Sequence, residues 1–198
     1  MSYNRSYHRH FEDYVEKEVL DGKTGKRRIE RTYAGAYYRH KMDDRSWVRL
    51  KRKYVLAFLW AAVCLLLQGF GGGTTVWYLA IPASLSLLAM AWLGFYVVSY
   101  ALNKRDLEVR QYRDREMLKM TAMASGMTFL LLLVGQAAWM LLHRQFYLYG
   151  LLCIFTDASA FVTLYWMFRT ERDMDYVKKE NTQTIDPDSY DIRYREEE

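Results

Sequence analysis

Charge is missing from the middle of this sequence. No Asp, Glu, Lys or Arg occurs from Tyr54 to Leu102, and from Leu118 to Phe168 only Lys119, Arg144 and Asp157 do. All other charged residues fall in 1–53, 103–117 and 169–198. The mean hydropathy of −0.23 therefore averages two unlike materials. A nucleic-acid interface is not expected, because the basic residues track the edges of apolar runs instead of forming one stripe. Cysteine is scarce too. Cys64 and Cys153 both lie inside apolar runs, with no C-x-x-C. That argues against a disulfide framework or a thiol-redox enzyme, and they read as small packing residues. Clusters of His, Cys or paired carboxylates at a membrane face, which lipid chemistry would need, are also lacking. The expectation is a protein without catalytic residues, metal or cofactor.

What is present is four long apolar stretches, 54–70, 76–102, 118–142 and 146–168. About 20 residues of helix cross a hydrocarbon core, with a range of roughly 17–25. No polar face repeats along them, so amphipathic core helices of a soluble domain are not indicated. The first run starts more than fifty residues from Met1, which does not fit a signal peptide. The fold class expected is an all-α membrane protein, a bundle of four transmembrane helices over 54–168. Basic clusters flank its ends: Arg49, Lys51, Arg52 and Lys53, then Lys104 and Arg105, then Arg169 and Arg172. The connections 69–75 and 143–145 carry at most one Arg. Positive charge stays inside, so both termini are expected in the cytoplasm. Compact connections suit a bacterial inner (cell) membrane.

Two features organise the chain further. At a spacing of 68, Arg45 matches Arg113, Leu50 matches Leu118, Lys51 matches Lys119 and Gln68 matches Gln136. This suggests two hairpins of one orientation, a parallel internal repeat. Within the cytoplasmic region 1–53, "YVEKEVL" and "RRIERTY" flank the turn-like "DGKTGK", a β-hairpin over 14–33. Pairing Tyr14 with Tyr33 sets Glu16 opposite Arg31 and Lys17 opposite Glu30. Residues 34–40 offer it a third strand, and a basic helix from about Asp43 to Lys53 would run into the first span. The tail 169–198 reads as acidic and disordered. "GKTGK" lacks the first glycine of a phosphate loop, since position 17 is Lys17. "HRHFED" (8–13) holds metal-capable side chains without a rigid frame.

Asp157 is the exception in the fourth run. At mid-depth an acid costs about 2.5–3.5 kcal/mol on insertion scales, so it must face the bundle or water. The hydroxyls expected beside it are Thr128, Ser125, Ser86 and Ser84, with no Lys, Arg or His at its depth. Three roles follow: a neutral carboxyl bonded to hydroxyls, a contact with a basic residue of another subunit, or a proton or cation site. The first two are favoured over the third. Lys51, Arg52, Lys53, Lys104, Arg105 and Arg169 are expected to contact anionic lipid headgroups. The function expected is non-enzymatic, an assembly or anchoring subunit of a membrane complex or a homo-oligomer. The alternative is a small homo-oligomeric ion- or proton-coupled transporter or channel using Asp157.

Overall fold

The computed structural model describes residues 14–20, 27–69, 77–144 and 148–180. Within them are four helices: α1 (Asp44–Gly69), α2 (Trp77–Leu102), α3 (Val109–His143) and α4 (Leu148–Arg172). Five short strands join them: β1 (Tyr14–Leu20), β2 (Arg27–Tyr33), β3 (Tyr37–His40), β4 (Asp106–Leu107) and β5 (Tyr176–Lys179). The chain forms two compact units. A helical unit comprises His40–Arg105 and Arg113–Asp175, and a strand unit comprises Met1–Arg39, Asp106–Tyr112 and Tyr176–Glu198.

Three helices are long and apolar enough to cross a membrane: Leu79–Leu102, Val109–His143 and Leu148–Arg172. Helix α1 is not among them. Arg45, Arg49, Lys51, Arg52 and Lys53 fill its first turns, so only Tyr54–Gly69 is free of charge. That is about 24 Å of helix against roughly 30 Å of hydrocarbon. As expected, the basic helix before Tyr54 runs unbroken into the apolar one. Helix α3 begins nine residues before the expected boundary. No Gly or Pro interrupts 104–117, so Arg110, Arg113 and Arg115 are helical rather than in a connection.

The expectation that nothing periodic organises the apolar runs is corrected by side-chain size. The buried residues of α1 are Trp47, Leu50, Tyr54, Ala57, Ala61, Cys64 and Gln68, alternating steps of three and four. Helix α4 repeats the pattern from Gly150 through Cys153, Asp157, Ala160, Leu164 and Met167 to Glu171. A mean step of 3.5 residues is the seam of a left-handed supercoil. Small and polar residues take the seam while Leu56, Leu66, Leu88, Phe95 and Phe155 stay more than 60% exposed. Grease outside and small groups inside is how helices pack in lipid. Helix α1 packs against both α2 and α4. A Cβ on Gly94 of α2 would lie 2.9 Å from Phe58 Cζ, so the missing side chain is what lets the α1 ring seat there.

In the strand unit β1 and β2 pair antiparallel with Tyr14 opposite Tyr33, Glu16 opposite Arg31 and Lys17 opposite Glu30. This is the register expected from the sequence; the turn 21–26 lies outside the described residues. The third strand does not join them. Strand β3 instead sits at the centre of a separate sheet ordered β4-β3-β5. There Tyr38 opposes Leu107, Arg39 opposes Asp106, and Arg39 Nε and Nη2 donate to the two Asp106 oxygens at 2.5 and 2.6 Å. A bidentate ion pair and the Tyr38–Tyr112 stack, 4.4 Å between centroids, hold this strand better than a hairpin edge would. The Tyr14 hydroxyl donates to Glu108 at 2.5 Å, and partial burial together with that carboxylate pushes its pKa up to about 12. The tail is corrected in part. Its residues to Arg172 are helical and Tyr176–Lys179 is strand; 181–198 lie outside the described residues, as do 8–13.

Candidate functional site

Asp157 is fully buried in the helical unit. Its Oδ1 accepts a hydrogen bond from Gln68 Nε2 of α1 at 2.6 Å, while Oδ2 is buried with no hydrogen-bond partner among the described residues. The expected hydroxyl partners are corrected. Thr128 donates to the Ser125 carbonyl at 2.7 Å, Ser86 to Pro82 at 2.8 Å and Ser84 to Ala80 at 2.9 Å. Hydroxyls inside a helix bond the carbonyl three or four residues back, so they are consumed locally. Ser125 Oγ is buried without a partner among the described residues and does not reach the carboxylate. A contact from Asp157 to another subunit is overturned as well, because the bundle seals it on every side.

A second polar centre, which sequence reasoning missed, draws on all four helices. Glu171 near the end of α4 is fully buried. Its Oε1 accepts from Tyr54 of α1 at 2.9 Å and from Tyr100 of α2 at 2.8 Å, and its Oε2 from Arg115 Nε of α3 at 2.8 Å. Arg115 Nη2 also donates to the carbonyls of Glu171 at 2.5 Å and Met174 at 3.4 Å, closing the C-terminus of α4. Tyr54, whose position beside a span end suits an interfacial aromatic belt, is instead only 1% exposed. Glu171 is hidden in the sequence by its place among tail charges. The signal that finds it is the spacing of seven from Asp157 through Leu164 to Glu171.

The two centres fix how α1 and α4 lie. Tyr54 meets Glu171 and Gln68 meets Asp157, and each pair of positions is fourteen residues apart. The helices therefore run antiparallel in one register over about 21 Å. Between these levels the seam is apolar: Leu93, Val97, Leu118, Phe129, Leu164 and Met167 are all at most 2% exposed.

The six expected headgroup contacts divide. Arg52, Lys53 and Lys104 are exposed, and Arg169 is too, lying 3.6 Å from Asp173. Lys51 is turned inward. Its Nζ donates to the carbonyls of Ala101, at 3.1 Å, and Asn103 at the end of α2, with its pKa lowered by burial. Arg105 is held by Asp44 and the Met42 carbonyl. Cations that cap helix ends are not available to lipid. Among the described residues no group of His, Cys, Asp and Glu is arranged to hold a metal ion.

Apolar helices that face outward around sealed polar centres define a mostly helical integral membrane protein with a small sheet. No protein-family model, curated protein or solved structure matches the chain.

Proposed function

We propose that this protein is a non-enzymatic integral membrane subunit that anchors its strand unit to the cytoplasmic face of a bacterial inner membrane as part of a larger complex. In this reading α1 is a fourth span and both ends of the chain are cytoplasmic. Its lipid-facing side supports the fourth span: Leu56, Leu59, Trp60, Val63 and Leu66 are 45–68% exposed. The α1–α4 register over about 21 Å also keeps α1 at the depth of an apolar neighbour. Exposed Arg52, Lys53, Lys104 and Arg169 then sit where anionic headgroups lie.

The observation that carries an anchoring role over a conducting one is the dry seam between Asp157 and Glu171. An ion crossing it would shed its water with no polar group to replace it. Transport through a single chain is disfavoured for that reason. The test is to extract the protein from its native membrane in a mild detergent and weigh it. A stoichiometric second protein supports the reading. The chain by itself, or a closed homo-oligomer that passes ions in vesicles, overturns it.

A further inference from the structure

We infer that the chain is two copies of one strand–helix–helix module fused in tandem, each half presenting to the other an interface that fits a second copy of itself. Such a duplication goes beyond the anchoring role and rests on one displacement, 68 residues, recurring independently in both units.

In the helical unit, adding 68 to each buried position of α1 gives Arg115, Leu118, Ala122, Ser125, Phe129, Leu132 and Gln136. Each of these is buried in α3. A shared heptad would match two seams at one shift in seven, so the seam alone does not decide it. The contacts do. Within the hairpins, Phe58 of α1 fills the space at Gly94 of α2, and 68 residues on, Gly126 of α3 takes Phe161 and Leu164 of α4. Bulk and gap have changed sides at the same place. Trp47 of α1 meets Tyr100 near the end of α2 with ring centroids 5.1 Å apart. Arg115, 68 residues on, meets Glu171 near the end of α4. Between the hairpins, the Leu67 carbonyl of α1 accepts from Tyr149 of α4, and Gly135 of α3, again 68 on, abuts Leu79 of α2.

The strand unit supplies the second observation. Tyr38 and Arg39 displaced by 68 are Asp106 and Leu107. The pairing found is Tyr38 with Leu107 and Arg39 with Asp106. A residue pairs with its neighbour's counterpart, and that neighbour pairs with the first residue's counterpart. This reciprocity is what a twofold axis imposes on an isologous contact. A chance ladder between unrelated strands has no reason to obey it.

The duplication separates what the module needs from what one half has acquired. Buried Gln68 and Gln136 are counterparts present in both halves. Trp47 with Tyr100 and Arg115 with Glu171 occupy one place in two chemistries, so the aromatic pair already satisfies the packing there. The ion pair and Asp157 belong to the second half alone.

Pulsed electron paramagnetic resonance on the full chain in lipid tests this with labels at exposed positions. The distance from residue 56 to residue 102 should match that from 124 to 172, and the crossed distance 56 to 172 should match 124 to 102. Agreement within about one helical turn, 5.4 Å, is expected. A mismatch beyond about 10 Å, the width of a helix, in either comparison overturns the twofold relation. Because labels can shift packing, the double variant W47R/Y100E provides a second measure. It installs the second half's ion pair in the first, and the full chain should remain folded in detergent with an unchanged helical circular dichroism signal. Loss of fold in this variant, while each label pair leaves the protein folded, counts against equivalence of the two places. Neither result bears on whether a partner protein co-purifies.

Discussion

Gln68 and Asp157 depend on each other unequally. Among the described residues, the Gln68 amide donates to one oxygen of a carboxyl whose other oxygen has no donor. Replacing Gln68 by Leu leaves a buried acid unsatisfied, at a cost of about 1–3 kcal/mol. Replacing both residues by Leu removes donor and acceptor together and should cost less than the single change. Unfolding of each variant in detergent by a denaturing surfactant measures this order; a double variant weaker than Gln68→Leu would show that the pair does more than satisfy itself. Asp157→Asn keeps shape and hydrogen bonding and should behave as wild type in the same assay. At this scale the acid is legible in the sequence, as the one carboxylate within the long apolar runs. Its partner is not, since serines and threonines look available in a sequence but spend their protons on their own helices.

The helices are tied at their ends by cations placed on the neighbouring helix. Lys51 closes α2 and Arg115 closes α4. Arg115→Met should be the more damaging change, about 3–5 kcal/mol, because it strands Glu171 as a buried charge with only tyrosine donors. Converting Glu171 to Met in the same protein should recover most of that loss. A thermal melt followed by circular dichroism compares the two; equal melts for the single and double variants would mean the charge is relieved some other way. Helix identity is readable from the length of the apolar runs, and the β1–β2 register from its alternating charges. Helix ends are not. Charge density suggests connections, whereas long Arg and Lys side chains in the first turns of α1 and α3 fold inward onto carbonyls. The seam escapes hydropathy because alanine, glycine and cysteine differ from leucine in volume more than in polarity.

For the whole molecule, orientation is the testable property. In a background with Cys64 and Cys153 replaced by alanine, single cysteines at positions 45, 104 and 178 should label only from the cytoplasmic side. Those at 69 and 144 should label only from outside. Cytoplasmic labelling at 69 would remove α1 from the spans, and outside labelling at 104 would reverse the protein. This expectation comes from the sorting of basic residues along the sequence. The partition into strand and helical units, by contrast, depends on pairings of β3 with β4 that no local pattern announces. The apolar seam has an electrical meaning as well. About 21 Å separates its two polar levels, some two thirds of a 30 Å hydrocarbon core, so most of the transmembrane voltage falls along side chains that hold no mobile charge. A cell can therefore fill its membrane with this protein and lose none of its resting potential through it.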